Sequence, residues 1–469
     1  PFALSNTVSG TYTVAAGESS VDLTVTAINL IGATLQDVGG NNADLTLPAG
    51  QNLADMRDIV VDAYGGTVTS ITSATPDGLY GPGQTIDVVL TFSEPVTLAG
   101  NDLILNLDTG YVLNVTPFTN STIATGFYTI ASNDASPDLN ATSIGLLGGA
   151  TIEDQYGNPT TLLLPSGNNL ADLKALVVDG VAPTIAMING TDSAYHEGQT
   201  VNFTVEFSEP VILSGGTIWL QLNTGGSAFV APFGSSTTCT ASYLIGAGEN
   251  TNDLTVNNGG ISLTGGTLMD AAGNTVDLTT PASNLAVNND IVIDTTVPTI
   301  GSIYGTNGTF GNGQTVNFTV EFSEPVTLAG GTIQLGMDSG GTAIVSTCAN
   351  STTATASYTV GPGQNSPDLT VNIGTITLSA GTLTDAAGNG TDLTVPPSNL
   401  GVMSDIVIDT AAPSLASISS SMMGSYGLGS TIFMDVNFTE PVTLAGTLEL
   451  ILDTGDVVSV TGSYPTTML

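Results

Sequence analysis

The sequence repeats itself about every 115 residues. That period restricts the chain to one folded unit copied in tandem. Ser-Glu-Pro-Val places glutamates at Glu94, Glu209 and Glu324, and Thr-Glu-Pro-Val places a fourth at Glu440; the intervals are 115, 115 and 116 residues. Asp-x-x-Gly-Asn begins at Asp37, Asp154, Asp270 and Asp385. An apolar pair followed by aspartate ends at Asp62, Asp179, Asp294 and Asp409. Any chemistry these acids carry must recur with the period. An enzyme needs one site, whereas a stalk, sheath or filament needs many equal units.

Both ends fall at the same point of the repeat. Residues 2–12 match 118–128 in sequence and spacing, and 453–460 match 108–115. The chain therefore reads as whole units at 63–180, 181–295 and 296–410, with the second half of a unit at 1–62 and the first half of another at 411–469. Units of this length sit near the common domain size and can each bury a core.

Charge narrows the function classes. Two basic residues, Arg57 and Lys174, face 41 acidic ones, for a formal net charge of −39. Nucleic-acid binding through phosphate neutralisation has nothing to work with, and adhesion to anionic membrane surfaces fails for the same reason. Cations are the natural partners; the plainer reading is that the charge only keeps a secreted protein soluble. An apolar fraction of 41% argues against disorder. No run of 18 apolar residues spans a membrane. Cys239 and Cys348 lie in different units at different repeat positions, so no disulfide forms within a unit.

Within 181–295 the pattern is that of short strands. Residues 200–207 alternate, with Val201, Phe203, Val205 and Phe207 on one face. Further strands read at 217–222, 227–230, 241–245, 253–256, 261–268 and 290–294, separated by Gly, Asn and Pro turns. No helical period of useful length appears. Seven to nine short strands per unit predict an all-β chain of tandem antiparallel sandwiches. Closed barrels and solenoids are the alternatives, but a solenoid needs a shorter sub-period that is absent.

The phrase Thr-Val-Glu-Phe-Ser-Glu-Pro-Val at 204–211, then Asp270-Ala-Ala-Gly-Asn274, then Ile291-Val-Ile-Asp294-Thr-Thr-Val-Pro298, resembles the bacterial Ig-like tandem repeats of large secreted surface adhesins and S-layer-associated proteins. The likeness runs the length of the chain. It implies secreted Ig-like beads, with Ca²⁺ at the bead junctions.

The recurring acids are the candidate metal ligands. Ca²⁺ takes six to eight oxygens from carboxylates and carbonyls. The linker aspartates Asp62, Asp179, Asp294 and Asp409 would be joined at each junction by a turn carboxylate (Asp37, Asp154, Asp270 or Asp385) from one unit. The glutamate of Glu-Pro (Glu94, Glu209, Glu324 or Glu440) would come from the other. The alternative is that Asp-x-x-Gly-Asn is only an Asx turn and that the glutamate caps a strand edge.

Sequons at Asn202, Asn317 and Asn437 fall on outward strand positions and are candidate glycosylation sites. Trp219 aligns with Ile104, Gln334 and Glu449 on an outward face, where it marks a lateral contact or stands as a surface aromatic without a role. The half-units predict exposed apolar faces carrying Tyr12 and Val14 at one end and Phe438 and Leu450 at the other, which seek partners in other copies of the chain.

The resulting expectation is an extracellular, non-enzymatic structural protein. Tandem Ig-like sandwiches form a filament or stalk, and half-units complete each other head to tail between copies. Glycans or a cell surface are its further partners. The rod segment of a giant calcium-dependent adhesin is the alternative. A carbohydrate-binding module array fits less well, because its stacking aromatic would have to recur and Trp219 does not.

Overall fold

Alternation of apolar and polar residues over 85–99 gives the central strand of the first whole repeat, Thr85–Ala99. In the computed structural model, which describes residues 5–461, it pairs with Val68–Thr72, Phe118–Thr129 and Thr151–Asp154 in one antiparallel sheet. A second sheet is built on Leu103–Leu107, flanked by Val112–Val115 and Ala141–Leu146. Gly78–Tyr80 pairs in parallel with the last strand, Leu176–Asp179, which is also antiparallel to Ala135–Ser136. The leading segment thus gives its first part to the first sheet and its second part to this separate three-stranded sheet. Antiparallel sheets packed face to face over one core make the repeat an Ig-like sandwich.

The inward faces of both sheets meet in one core. Ile86, Val88 and Leu90 of the first sheet share it with Leu103, Leu105 and Leu113 of the second. Each such side chain contributes about 1.5–3 kcal/mol on burial. The sheets approach so closely that a Cβ built on Gly126 would lie 2.1 Å from Leu113 Cδ2.

The same arrangement returns at Ile185–Ile293 and Ile300–Ile408. There a single bridge (Phe229 to Ser242, Ile344 to Ser357) joins the two sheets at one edge. Compactness divides the chain into two units. One comprises residues up to Thr191 with Val201–Tyr243 and Thr255–Asn289, and the other Asp192–Thr200, Leu244–Leu254 and Asp290 onward. The first holds the 63–180 sandwich and most strands of the next repeat, and the second holds the 296–410 sandwich.

Besides the strand expected at 253–256, of which only Val256 belongs to a strand, three details depart from the sequence reading. The strand expected at 241–245 runs from Phe233 to Leu244. The segment expected as one strand at 261–268 is cut, into Val256–Thr264 and Thr267–Met269. The cut is a glycine crossing: Gly265 and Gly266 turn at φ +69° and +63°, and a Cβ on Gly216 would lie 2.2 Å from the Gly265 carbonyl oxygen.

The third departure is four one-turn helices, Leu53–Met56, Leu170–Leu173, Leu285–Asn288 and Leu400–Met403, although no helical period is present. Each is held by the asparagine before it rather than by an amphipathic stripe. Asn399 Oδ1 accepts from the Leu400 N–H at 2.7 Å, and its Nδ2 donates to the Val371 carbonyl at 2.7 Å. Asn52, Asn169 and Asn284 do the same against Val25, Ala141 and Val256. The signal was the recurring Asn-Leu pair, which is too short to register as periodicity.

The half-repeats leave their inward faces open. Residues 5–62 hold a two-residue strand pair, Ser19–Ser20 with Val61–Asp62. Residues 411–461 form two hairpins, Leu415–Ser419 with Asp435–Phe438 and Thr447–Ile451 with Val457–Thr461. Tyr12 is 54% exposed, whereas its counterparts Tyr128, Tyr243 and Tyr358 are at most 1% exposed. Val14 is also exposed, and Phe438 and Leu450 are half-buried where their counterparts Phe92 and Leu105 are buried.

Asn399→Ala removes a helix cap and a strand clamp together, which should cost about 2 kcal/mol locally. Hydrogen exchange should then accelerate roughly 30-fold at amides of Val371–Leu378 and Ile406–Ile408, while the 63–180 repeat is unaffected.

Candidate metal centre

The Ser-Glu-Pro segment sits where the long strand changes partners. Proline has no N–H to give to a ladder. Before Pro95 the strand pairs through Phe92 with Val68, and after it Val96 pairs with Asp154. This antiparallel register sets Glu94 beside Asp154. The residue before the glutamate fixes the bend: Ser93 Oγ accepts from the Thr67 N–H at 3.0 Å, and Ser93 N–H donates to the Thr67 carbonyl at 2.9 Å. Ser208, Ser323 and Thr439 make the same side-chain bond to Thr184, Thr299 and Ser414. The sequence reading valued the glutamate and missed this hydroxyl, although its restriction to Ser or Thr in all four copies was visible.

The Asp-x-x-Gly-Asn turn supplies the second acid and captures the third. Asp154 Oδ1 accepts the N–H groups of Tyr156 and Asn158 at 2.8 and 2.9 Å, and Oδ2 accepts Asn158 Nδ2 at 2.7 Å. Gly157 closes the turn at φ +87°. The Asn158 amide also donates to the Asp62 carbonyl at 3.0 Å, which ties the linker to the turn. Asn274 and Asn389 hold the Asp179 and Asp294 carbonyls in the same way, at 2.9 and 2.8 Å. Each linker aspartate then accepts the N–H two residues ahead, as Asp62 does from Tyr64.

The outcome is three matching sets: Asp62, Glu94 and Asp154; Asp179, Glu209 and Asp270; Asp294, Glu324 and Asp385. In each, one oxygen from every carboxylate lies within 4.8 Å of the others, with the turn aspartate buried and the other two acids half-buried. One expectation is corrected here. Glutamate and turn aspartate do not come from opposite sides of a junction; both belong to the repeat that follows the linker, because the pairing of Val96 with Asp154 joins them within one sheet. The Asx turn and the acid set are also not alternatives, since the turn is what positions the set.

Asp37, Asp409 and Glu440 belong to no set of three among the described residues. Their local shapes are nonetheless formed. Asp37 accepts from Asn41 N–H and Nδ2 at 2.8 Å each, and Asp409 from Ala411 N–H at 3.0 Å. The turn of Asp37 lies in one half-repeat, the Glu-Pro part lies in the other, and Asp409 is the linker that leads into the latter.

Three carboxylates this close repel one another by roughly 3 kcal/mol per ionised pair at an effective dielectric of about 20, less where solvent screens them. The glutamates carry the strain. Burial raises the pKa of Glu94, and the charges of Asp62 and Asp154 raise it further. Glu209 and Glu324 are raised by burial and by their own aspartate pairs. Burial also opposes ionisation of Asp154, but the bonds from Asn158 and the turn N–H groups outweigh it and lower its pKa. Neither Lys174 nor Arg57 acts on any of these glutamates. A site of hard oxygen donors carrying up to three negative charges suits Ca²⁺ or Mg²⁺ chemistry. Hydrogen bonds fill Asp154 Oδ1 and leave a lone pair on Oδ2.

The raised glutamates set a pH dependence for the chelated protein. A folded-state pKa above the ordinary glutamate value gives stability that is complete below that value and lost as pH rises through the raised one. Asp154 acts oppositely, losing stability as pH falls through its lowered value. In excess chelator, melting temperature should therefore fall as pH rises just above the ordinary glutamate range. The Glu94→Gln, Glu209→Gln, Glu324→Gln triple variant should lack that fall and melt higher than the parent at pH 7 in thermal unfolding.

No family model matches the chain, and no curated protein matches it. Among solved structures, the chain is similar to the I9–I11 tandem from titin, at 9% identity over 73% of this chain and 100% of that chain, with a TM-score of 0.22. The Ig-like assignment rests on the strand order and pairing described above. No helix among the described residues is long and apolar enough to cross a membrane.

Proposed function

We propose that this chain is an extracellular structural protein that assembles head to tail. Residues 411–469 of one copy and 1–62 of the next complete one sandwich, and Ca²⁺ at the acid sets stiffens the junctions. One observation carries the reading. The segments 85–99, 200–214 and 315–329 are each a single 15-residue strand, but their counterpart at 431–445 is a strand only at Asp435–Phe438. In the whole repeats its partner is Phe118–Thr129, Phe233–Leu244 or Ser351–Thr359. The matching residues 2–13 are at the other half-repeat. An unpaired edge with an open apolar face is a template for a further strand, and a contact of this kind propagates instead of closing.

Acid motifs repeated at equal intervals support a structural role over a catalytic one. Exposed sequons at Asn202, Asn317 and Asn437 support placement outside the cell. The rod segment of a larger calcium-dependent adhesin uses the same contacts within one covalent chain, and denaturation separates the two readings.

Filaments of the native protein boiled in SDS should release single chains of about 47.1 kDa; a much larger covalent species favours the rod segment. Ile418 is 55% exposed, while its counterparts Ile71, Ile188 and Ile303 are fully buried. Ile418→Asp should leave monomer melting unchanged and abolish filaments in electron micrographs. A chain whose own half-repeats pack on each other would overturn the model. Calcium at about 100 times its Kd should add roughly 2.7 kcal/mol per site, and chelation should remove it as a drop in melting temperature.

A further inference from the structure

The repeat at 181–295 carries a feature its neighbours lack. Trp219 and Phe229 are cross-strand partners, packed edge to face with ring centroids 4.4 Å apart, and both remain 41% exposed. They belong to a continuous outward row. Ser262 lies opposite Trp219, Ser242 lies opposite Phe229, and Ser242 Oγ donates to Asn202 Oδ1 at 2.7 Å. The row therefore reads Asn202, Ser242, Phe229, Trp219, Ser262. It contains no ionisable side chain, in a protein of net charge −39.

The same row elsewhere is different. At 296–410 it reads Asn317, Ser357, Ile344, Gln334, Thr377. At 63–180 it contains Asp87, Phe127, Asn114, Ile104 and Gly145. The sequon and the aromatic pair coincide only at 181–295.

We infer that Trp219 and Phe229 form a stacking platform for the glycan attached to Asn202. Strands lie about 4.8 Å apart, so along the row, around the edge where the two sheets join, Phe229 is about 10 Å and Trp219 about 14 Å from the attachment point, a path that the first few pyranose rings cover. A pyranose ring offers an apolar C–H face to an aromatic ring and hydroxyls to Ser242 and Ser262. Neutrality of the row suits an uncharged sugar, while another copy of this acidic chain would bring like charge to the same face. Tethering makes even a weak stack persistent, because the sugar is held at high effective concentration. The role of the platform is to order one glycan on the filament surface and shield the aromatics.

This inference rests on the extracellular, glycosylated reading, and its test separates the two. Trp219 is the single tryptophan of the chain beside 12 tyrosines, so fluorescence excited at the red edge of indole absorption, beyond that of tyrosine, reports on it alone. Native protein, Asn202→Gln and Asn317→Gln, all made in the native host and checked for fold by circular dichroism, are compared by acrylamide quenching and peptide mass spectrometry. The expected result is a glycan on the Asn202 peptide, severalfold stronger quenching in Asn202→Gln, and native quenching in Asn317→Gln. A bare Asn202 beside modified Asn317 or Asn437 overturns the inference alone, as does unchanged quenching in Asn202→Gln. Bare asparagine at all three positions overturns the glycosylated reading with it. Quenching that depends on protein concentration assigns Trp219 to a contact between copies and likewise overturns it.

Discussion

The constraint on which the rest depends is a proline in the middle of the longest strand. Pro95, Pro210 and Pro325 interrupt the ladder because they have no N–H to donate. The strand still runs through 15 residues: on one edge it keeps Phe118–Thr129 through a register shift, and on the other it changes partners at that point. Before the proline it pairs with the leading strand of the repeat, and after it with the short strand that enters the Asp-x-x-Gly-Asn turn. The hydroxyl of Ser93 locks the bend by bonding to Thr67, just beyond the linker. A glutamate, a turn aspartate and a linker aspartate are thereby brought to one place in each repeat.

That geometry is electrostatically unfavourable on its own. Three acids share a half-buried corner with no basic group acting on them, and burial together with the aspartate charges pushes the glutamate proton affinity up. In the first whole repeat Asp154 escapes the same fate because Asn158 and backbone N–H groups stabilise its charge. Each corner therefore holds a glutamate whose charge costs stability, and the first sets beside it an aspartate built to stay ionised. A bound divalent cation would relieve the cost, as protonation does at lower pH. The same asparagine that steadies the aspartate also grips the linker carbonyl, so charge and inter-repeat geometry are coupled through one side chain.

The half-repeats show what happens when this unit is divided. The linker aspartate Asp409 and the Thr439–Ser414 bend keep their local bonds, and the Asp37 turn keeps its own. Local structure survives because it depends on residues close in sequence. The core does not survive, because it requires two sheets whose strands come from both halves. Tyr12 and Ile418 are exposed for that reason. Their chemistry is identical to that of buried counterparts in the same chain, so only the missing sheet distinguishes them.

Much of this was legible in the sequence. Period, strand alternation and composition determined the number of repeats, the all-β class, the inward residues and the three kinds of recurring acid, because each follows from local pattern or simple repetition. The helical turns escaped notice, since a single asparagine clamp leaves no periodic trace. The sequence also could not say which acids share a corner. Glu94 and Asp154 are sixty residues apart, and only the antiparallel register of Val96 with Asp154 makes them neighbours within one repeat rather than across two. Likewise the sequence placed Trp219 outward, but its pairing with Phe229 and the row leading to Asn202 arise from strands separate in the chain. What local pattern encodes, the sequence determined; what depends on cross-strand register, only the tertiary structure decided, because register is set by the packing of whole sheets and not by any one segment.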